Sequence, residues 1–170
     1  YTNANLAGER ANEYIAEGFT AVKFDPVGKY TALDPRQLSL EELIKVESFV
    51  ETVHKSVKNK CDLLIGTHGQ MTTASAVRLA KRLEKFDPMW FEEPIPPENF
   101  EEMGFVSQST TIPIATGERL ATKYEFSKIL QSKGASILQM NLGRVGGILE
   151  AKKIAGLAET HYAQIAPHLY

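Results

Sequence analysis

One cysteine, Cys61, in 170 residues excludes an internal disulfide framework and a CxxC metal site, and that economy fits a reducing cytoplasm. Apolar runs are short, and none approaches the ~18 to 20 residues of a membrane span. Charge of one sign is scarce too: the formal net charge is -2 and no long block of like charge occurs, so neither a nucleic-acid surface nor a polybasic membrane anchor is expected. GxGxxG and GxxxxGK[ST] are absent, which removes the phosphate loops of the dinucleotide and nucleotide binders. The opening "YTNANLAGERANEYIAEG" mixes charged and apolar residues at helical spacing and lacks the build of a signal peptide. These absences leave a small molecule as the expected partner.

What is present is enough apolar content, 43%, for one domain with a real core. Short β-type runs alternate with longer segments of period near 3.6, the pattern of parallel strands joined by crossover helices. The expected strands are "YTNA" at the start, "TAVKFD" (20–25), "DLLIG" (62–66), "MWFEE" (89–93), "IPIATG" (112–117), "SILQM" (136–140) and "AQIAPH" (163–168). Leu40, Leu43, Ile44, Val50, Val53 and Val57 follow i, i+3, i+4 logic through a helix, as do Val77, Ala80 and Leu83 in the next. Ile148, Ala151, Ile154, Ala155 and Ala158 mark a last helix after "GRVGG", where glycines allow a sharp entry. The segment 25–39 is long, bears Pro and Gly and shows no periodicity, as functional loops often do.

Strand ends fall at 25, 66, 92, 118, 141 and 168, a spacing of about 23 to 27 residues after the first interval. So regular a unit argues for an α/β fold of (β/α) TIM-barrel type rather than an open doubly wound sheet. Eight strands close such a barrel and about seven are countable, so residues 1–170 read as a partial C-terminal-type barrel domain. The capping domain and the closing strand are expected elsewhere, in a longer enzyme. Alone, the piece is expected to be inactive and prone to aggregate through its open edges.

In such barrels chemistry sits where strands end. The ends present Lys23 and Asp25, then Gly66 with His68, then Glu92 and Glu93, then Glu118, Asn141 and His168. Each has an ordinary reading: Lys23 and Asp25 as a solvated strand end, the Glu pair as a helix cap, Glu118 as a partner of Arg119, each histidine as a satisfied loop residue. Taken together they form a polar ring. Carboxylates on adjacent parallel strands can share a hard cation such as Mg²⁺, which keeps waters that a substrate displaces. Histidines opposite it would carry protons at neutral pH. That combination suits removal of a proton next to a carboxylate, because the cation holds the developing charge while a base takes the proton.

The motifs "FEEPIPPENF", "IPIATGERL", "LGRVGGILEAKKIA" and the final "PH" resemble the mandelate racemase/muconate lactonizing branch of the enolase superfamily, and most closely its galactonate-dehydratase-like members. The resemblance runs along essentially the whole chain. It implies Mg²⁺-dependent enzymes with a capping domain and a modified barrel, commonly homo-oligomers. Position by position it implies Glu92 and Glu118 as metal ligands, His168 as general base and His68 as the acid that protonates a departing hydroxyl. Glu93, Gln70 and Gln139, beside these positions in "FEE", "THGQ" and "QMN", are the expected substrate contacts.

Three positions depart from the family pattern. Gly66 stands where the first metal carboxylate belongs. The second strand ends in "KFD" instead of Lys-x-Lys, so Asp25 is the expected substitute ligand and Lys23 a rival base. Asn141 stands where an aspartate normally orients the histidine; an amide accepting from the ring could fix its tautomer but not stabilise the imidazolium, leaving His168 a weaker base. The leading expectation is a sugar-acid lyase that removes the α-proton and eliminates a β-hydroxyl, a dehydratase. If the leaving oxygen is a ring ether, the same transfers make a cycloisomerase. An inactive binding relative is the alternative of another class, favoured by Gly66 and Asn141 and opposed by both Glu motifs and both histidines.

Overall fold

The computed structural model of the chain describes residues 3–28 and 36–169. Helix α1 spans Ala4–Ala16, strand β1 Ala21–Phe24, α2 Leu40–Val57, β2 Asp62–Gly66, α3 Thr73–Leu83 and β3 Trp90–Glu92. Then come α4 (Phe100–Gln108), β4 (Ile114–Thr116), α5 (Lys123–Gln131), β5 (Ile137–Leu138), α6 (Ile148–Thr160) and β6 (Gln164–Ile165). The fold is α/β, as expected. All neighbouring strands pair in parallel and lie in the order β1-β2-β3-β4-β5-β6. Each strand therefore sits beside its predecessor, the winding of a (β/α) barrel, whereas a doubly wound sheet reverses direction at a switch point.

Six strands replace the expected seven among the described residues. Tyr1 and Thr2 of "YTNA" lie outside those residues, and Ala4 begins a helix because the Asn3 side chain accepts from the Asn5 and Leu6 amides. The i, i+3, i+4 content of the following residues, noted in the sequence, is the helix itself. Residues 29–35 of the loop 25–39 also lie outside the described residues.

The helices form where the pattern places them, with adjustments at their ends. In α2, Leu43, Val46, Val50, Val53 and Val57 are buried, whereas Leu40 and Ile44 face solvent. Ser39 and Glu42 make a reciprocal capping box at its start, satisfying two amides that helix geometry leaves unpaired. Ala151, Ile154 and Ala158 of α6 are buried, but Ile148 is exposed. The core lies between the sheet and the helices, with Ile65, Phe91, Ile114 and Leu138 of consecutive strands fully buried against α-helical Leu79, Met103, Ile129 and Ile154. Among the described residues no helix is long and apolar enough to cross a membrane.

Candidate active site at the strand ends

Parallel register sets the site. Gly66 at the end of β2 lies directly beside Glu92 at the end of β3. A side chain at 66 would begin 3.7 Å from Glu92 Oε1, and that space is crossed instead by the Lys23 methylenes. Lys23 Nζ donates to Glu92 Oε1 at 2.8 Å, while Trp90 Nε1 (3.0 Å) and Gln139 Nε2 (2.7 Å) donate to Oε2. A carboxylate this buried needs such partners to offset its lost hydration. Trp90 was not singled out in the sequence, although its position two residues before Glu92 puts both on one face of the strand.

Asp25 is committed elsewhere. Its Oδ2 lies 3.1 Å from His68 Nδ1 and accepts from Gln70 Nε2 at 3.4 Å, and its Oδ1 accepts the Val27 amide at 2.8 Å. Among the described residues no group of three or more His, Cys, Asp or Glu side chains that could hold a metal is assembled. The expected third carboxylate is therefore not delivered to Glu92 and Glu118: Asp25, one strand over, pairs with the histidine that surfaces beyond β2. His68 reaches it by a left-handed backbone (φ 53) followed by Gly69 (φ 68), which swings the ring over the strand end. The hydrogen bond to Asp25 raises the His68 pKa above its ordinary value despite partial burial, with smaller contributions from the charges of Glu118 and Glu92.

Across the rim, Asn141 and His168 form an isolated parallel bridge past the ends of β5 and β6. Asn141 Nδ2 lies 3.1 Å from His168 Nδ1, and His168 Nε2 lies 3.8 Å from Glu118 Oε2. The amide faces the ring with its nitrogen, so it donates where the sequence reading had it accept.

Glu93 and Gln70, expected to touch substrate, are fully buried. A left-handed residue (φ 45) turns Glu93 away from Glu92 and into the protein, where its Oε1 accepts from Thr116 Oγ1 and the Gly117 amide (2.9 Å), with Arg119 3.5 Å from Oε2. Burial pushes its pKa up to about 7, against these hydrogen bonds and Arg119, which pull it down, and with Glu118 adding to the rise. Gln70 bridges Arg36 and Asp25 from behind the rim. Thr67, also missed in the sequence, donates its hydroxyl to the carbonyls of Glu92 and Glu93 and ties the β2 loop to the end of β3.

Gln139, buried beside Glu92, has an amide oxygen with no hydrogen-bond partner among the described residues, although its nitrogen is spent on Glu92. An unspent acceptor next to a carboxylate invites a cation or a donor. An amide oxygen beside the Glu92 carboxylate is oxygen-donor chemistry that suits an ion of the Mg²⁺ kind, which binds through one or two carboxylates and keeps its waters.

A family model described as enolase C-terminal domain-like matches residues 7–170. The chain is 38% identical over 170 residues to a D-xylonate dehydratase of Haloferax volcanii, covering 98% of this chain and 41% of that one. It is 34% identical over 157 residues to a D-galactonate dehydratase of Xanthomonas campestris pv. campestris, covering 92% and 40%. Among solved structures it superimposes on a protein of the mandelate racemase/muconate lactonizing enzyme group from Labrenzia alexandrii DFL-11, with TM-score 0.96 and 61% identity over 100% of this chain and 44% of that one. The 3,6-anhydro-D-galactonate cycloisomerase of Zobellia galactanivorans is also similar, at TM-score 0.84 and 30% identity over 98% and 44%. The chain thus spans about two fifths of the length of the curated relatives it matches. With strand order, rim carboxylates and these likenesses in agreement, the chain belongs to the enolase superfamily, in its mandelate racemase/muconate lactonizing enzyme family.

Proposed function

We propose that the protein containing this chain is a Mg²⁺-dependent sugar-acid dehydratase, a homo-oligomer acting on a small polyhydroxy carboxylate. The observation that carries the reading is one rim of strand ends where Lys23 Nζ meets Glu92 Oε1 at 2.8 Å, Asp25 pairs with His68 at 3.1 Å and His168 Nε2 lies 3.8 Å from Glu118 Oε2. Glu92 and Glu118 would hold the ion. When bound, it supplies positive charge where the substrate carboxylate gathers electrons. Lys23, half exposed, adds a second cation able to leave Glu92 for a substrate carboxylate. His68, paired with Asp25, and His168, beside Glu118, bring two imidazoles to this rim for the proton transfer and hydrogen bonding that the elimination needs. The dehydratase likenesses in D-xylonate and D-galactonate enzymes support this substrate class.

A ring-ether leaving group is the second reading, favoured by the likeness to the Zobellia cycloisomerase. The full-length enzyme incubated with Mg²⁺ and a panel of sugar acids, anhydro sugar acids and lactones separates the two by product. D-Xylonate or D-galactonate should lose water, EDTA should stop turnover, and Glu92→Gln should lower kcat/KM by about 100-fold or more. If no acid of the panel turns over and Mg²⁺ does not raise the melting temperature, the protein is a binding relative and the proposal fails.

A further inference from the structure

We propose that Asn141 reverses the hydrogen-bond polarity of His168, so that His168 meets the substrate through an Nε2–H donor, and that the Asp25–His68 pair supplies the proton-accepting nitrogen. This deepens the reading of the rim as a proton-abstraction site and, for its catalytic part, rests on it.

The Asn141 amide has one orientation. Its Oδ1 accepts the Arg144 backbone N–H at 3.1 Å, while its Nδ2 faces two acceptors, His168 Nδ1 at 3.1 Å and the His168 carbonyl oxygen at 3.5 Å. Turned over, the amide would set oxygen against oxygen and N–H against N–H. Nitrogen Nδ1 of His168 therefore accepts. A neutral imidazole carries one N–H, which must then be on Nε2, the nitrogen on the Glu118 side. An aspartate at 141 would impose the opposite, taking Nδ1–H and leaving the lone pair on Nε2.

His68 is arranged the other way. Its Nδ1 faces a carboxylate, which only accepts, and Asp25 is itself pinned by the Val27 amide and Gln70. Nitrogen Nδ1 carries the hydrogen and Nε2 the lone pair. The carboxylate–imidazole pair expected between the last two strands stands instead between the first two.

In the step this implies, the bond between the α-carbon and its hydrogen breaks, the proton goes to His68 Nε2 and the electron pair moves into the carboxylate. The pair then returns to form the double bond between the α- and β-carbons as the β-oxygen bond breaks. The departing hydroxyl takes the same proton back from His68 and leaves as water. His168 donates a hydrogen bond throughout and surrenders no proton, so both rings end as they began.

Neutron diffraction on crystals of the full-length protein in D₂O, at a pD where both rings are neutral, reads the tautomers directly. Deuterium is expected on Nδ1 of His68 and on Nε2 of His168. Deuterium on Nδ1 of His168 overturns the proposal, and so does its retention on Nε2 in Asn141→Asp, where it should move to Nδ1. In D₂O with Mg²⁺ and D-galactonate or D-xylonate, whichever turns over, His68→Gln should slow α-hydrogen exchange by about 10³-fold and His168→Gln by far less; the reverse order also overturns it. Failure of the dehydratase reading shows separately, as absence of turnover in the wild type, and leaves the deuterium positions unchanged.

Discussion

Glu93 is a carboxyl group wholly cut off from water, beside a chain neighbour of the same type that faces the rim. The turn at φ 45 separates them: Glu92 receives Lys23, Trp90 and Gln139, and Glu93 receives Thr116 and Gly117. Because burial raises the Glu93 pKa from 4.5 to about 7, the folded state holds this proton more tightly than the unfolded one. Its contribution to stability is complete below the unfolded value and is lost as pH rises through about 7. Urea unfolding of the full-length protein between pH 4 and 8 should therefore show a decline on the order of 2–3 kcal/mol that Glu93→Gln removes. An unchanged pH profile in the variant would place the titration elsewhere. No side-chain property distinguishes Glu92 from Glu93 in "FEEP"; one backbone dihedral does.

Among the elements, the short connection from β4 to α5 leaves no room for a side chain at Gly117. Gly117 has φ +130 and sits where an added Cβ would come within 2.6 Å of the Phe126 ring in α5 and 3.1 Å of the Gln139 amide beyond β5. Its own amide holds Glu93. Gly117→Ala combines a strained backbone with overpacking against a fully buried aromatic, and should cost about 3 kcal/mol or more in chemical denaturation. Glu118, the next residue, would be displaced, and with it the 3.8 Å approach to His168. At Gly69 the constraint is close approach, since a Cβ there would meet the Arg119 guanidinium.

At the scale of the whole molecule, the described sheet runs from β1 to β6 with each of these strands paired on one side only. Near them stand exposed Phe19, Ile165 and Leu169, and Ile148 and Leu149 of α6 are exposed as well. Parallel strands are normally buried on both faces and unpaired edges template association. The isolated 170-residue chain should elute from gel filtration as oligomers or aggregate; a stable, monodisperse monomer would show that these edges are protected.

Hydrophobic periodicity and turn residues by themselves determined the alternation of strands and helices, because burial of one face acts on neighbours a few positions apart in the chain. The even spacing of strand ends likewise brought Lys23, His68, Glu92, Glu118, Asn141 and His168 to consecutive positions of one rim. What those groups do to each other was decided only by tertiary structure. Asp25 went to His68 instead of Glu92 because a left-handed residue carried the ring to it, and Lys23 filled the space over Gly66. Asn141 became a donor because the Arg144 amide had already taken its oxygen. Hydrogen-bond partnership depends on direction and on distances of about 3 Å between residues far apart in sequence, and a linear pattern carries neither.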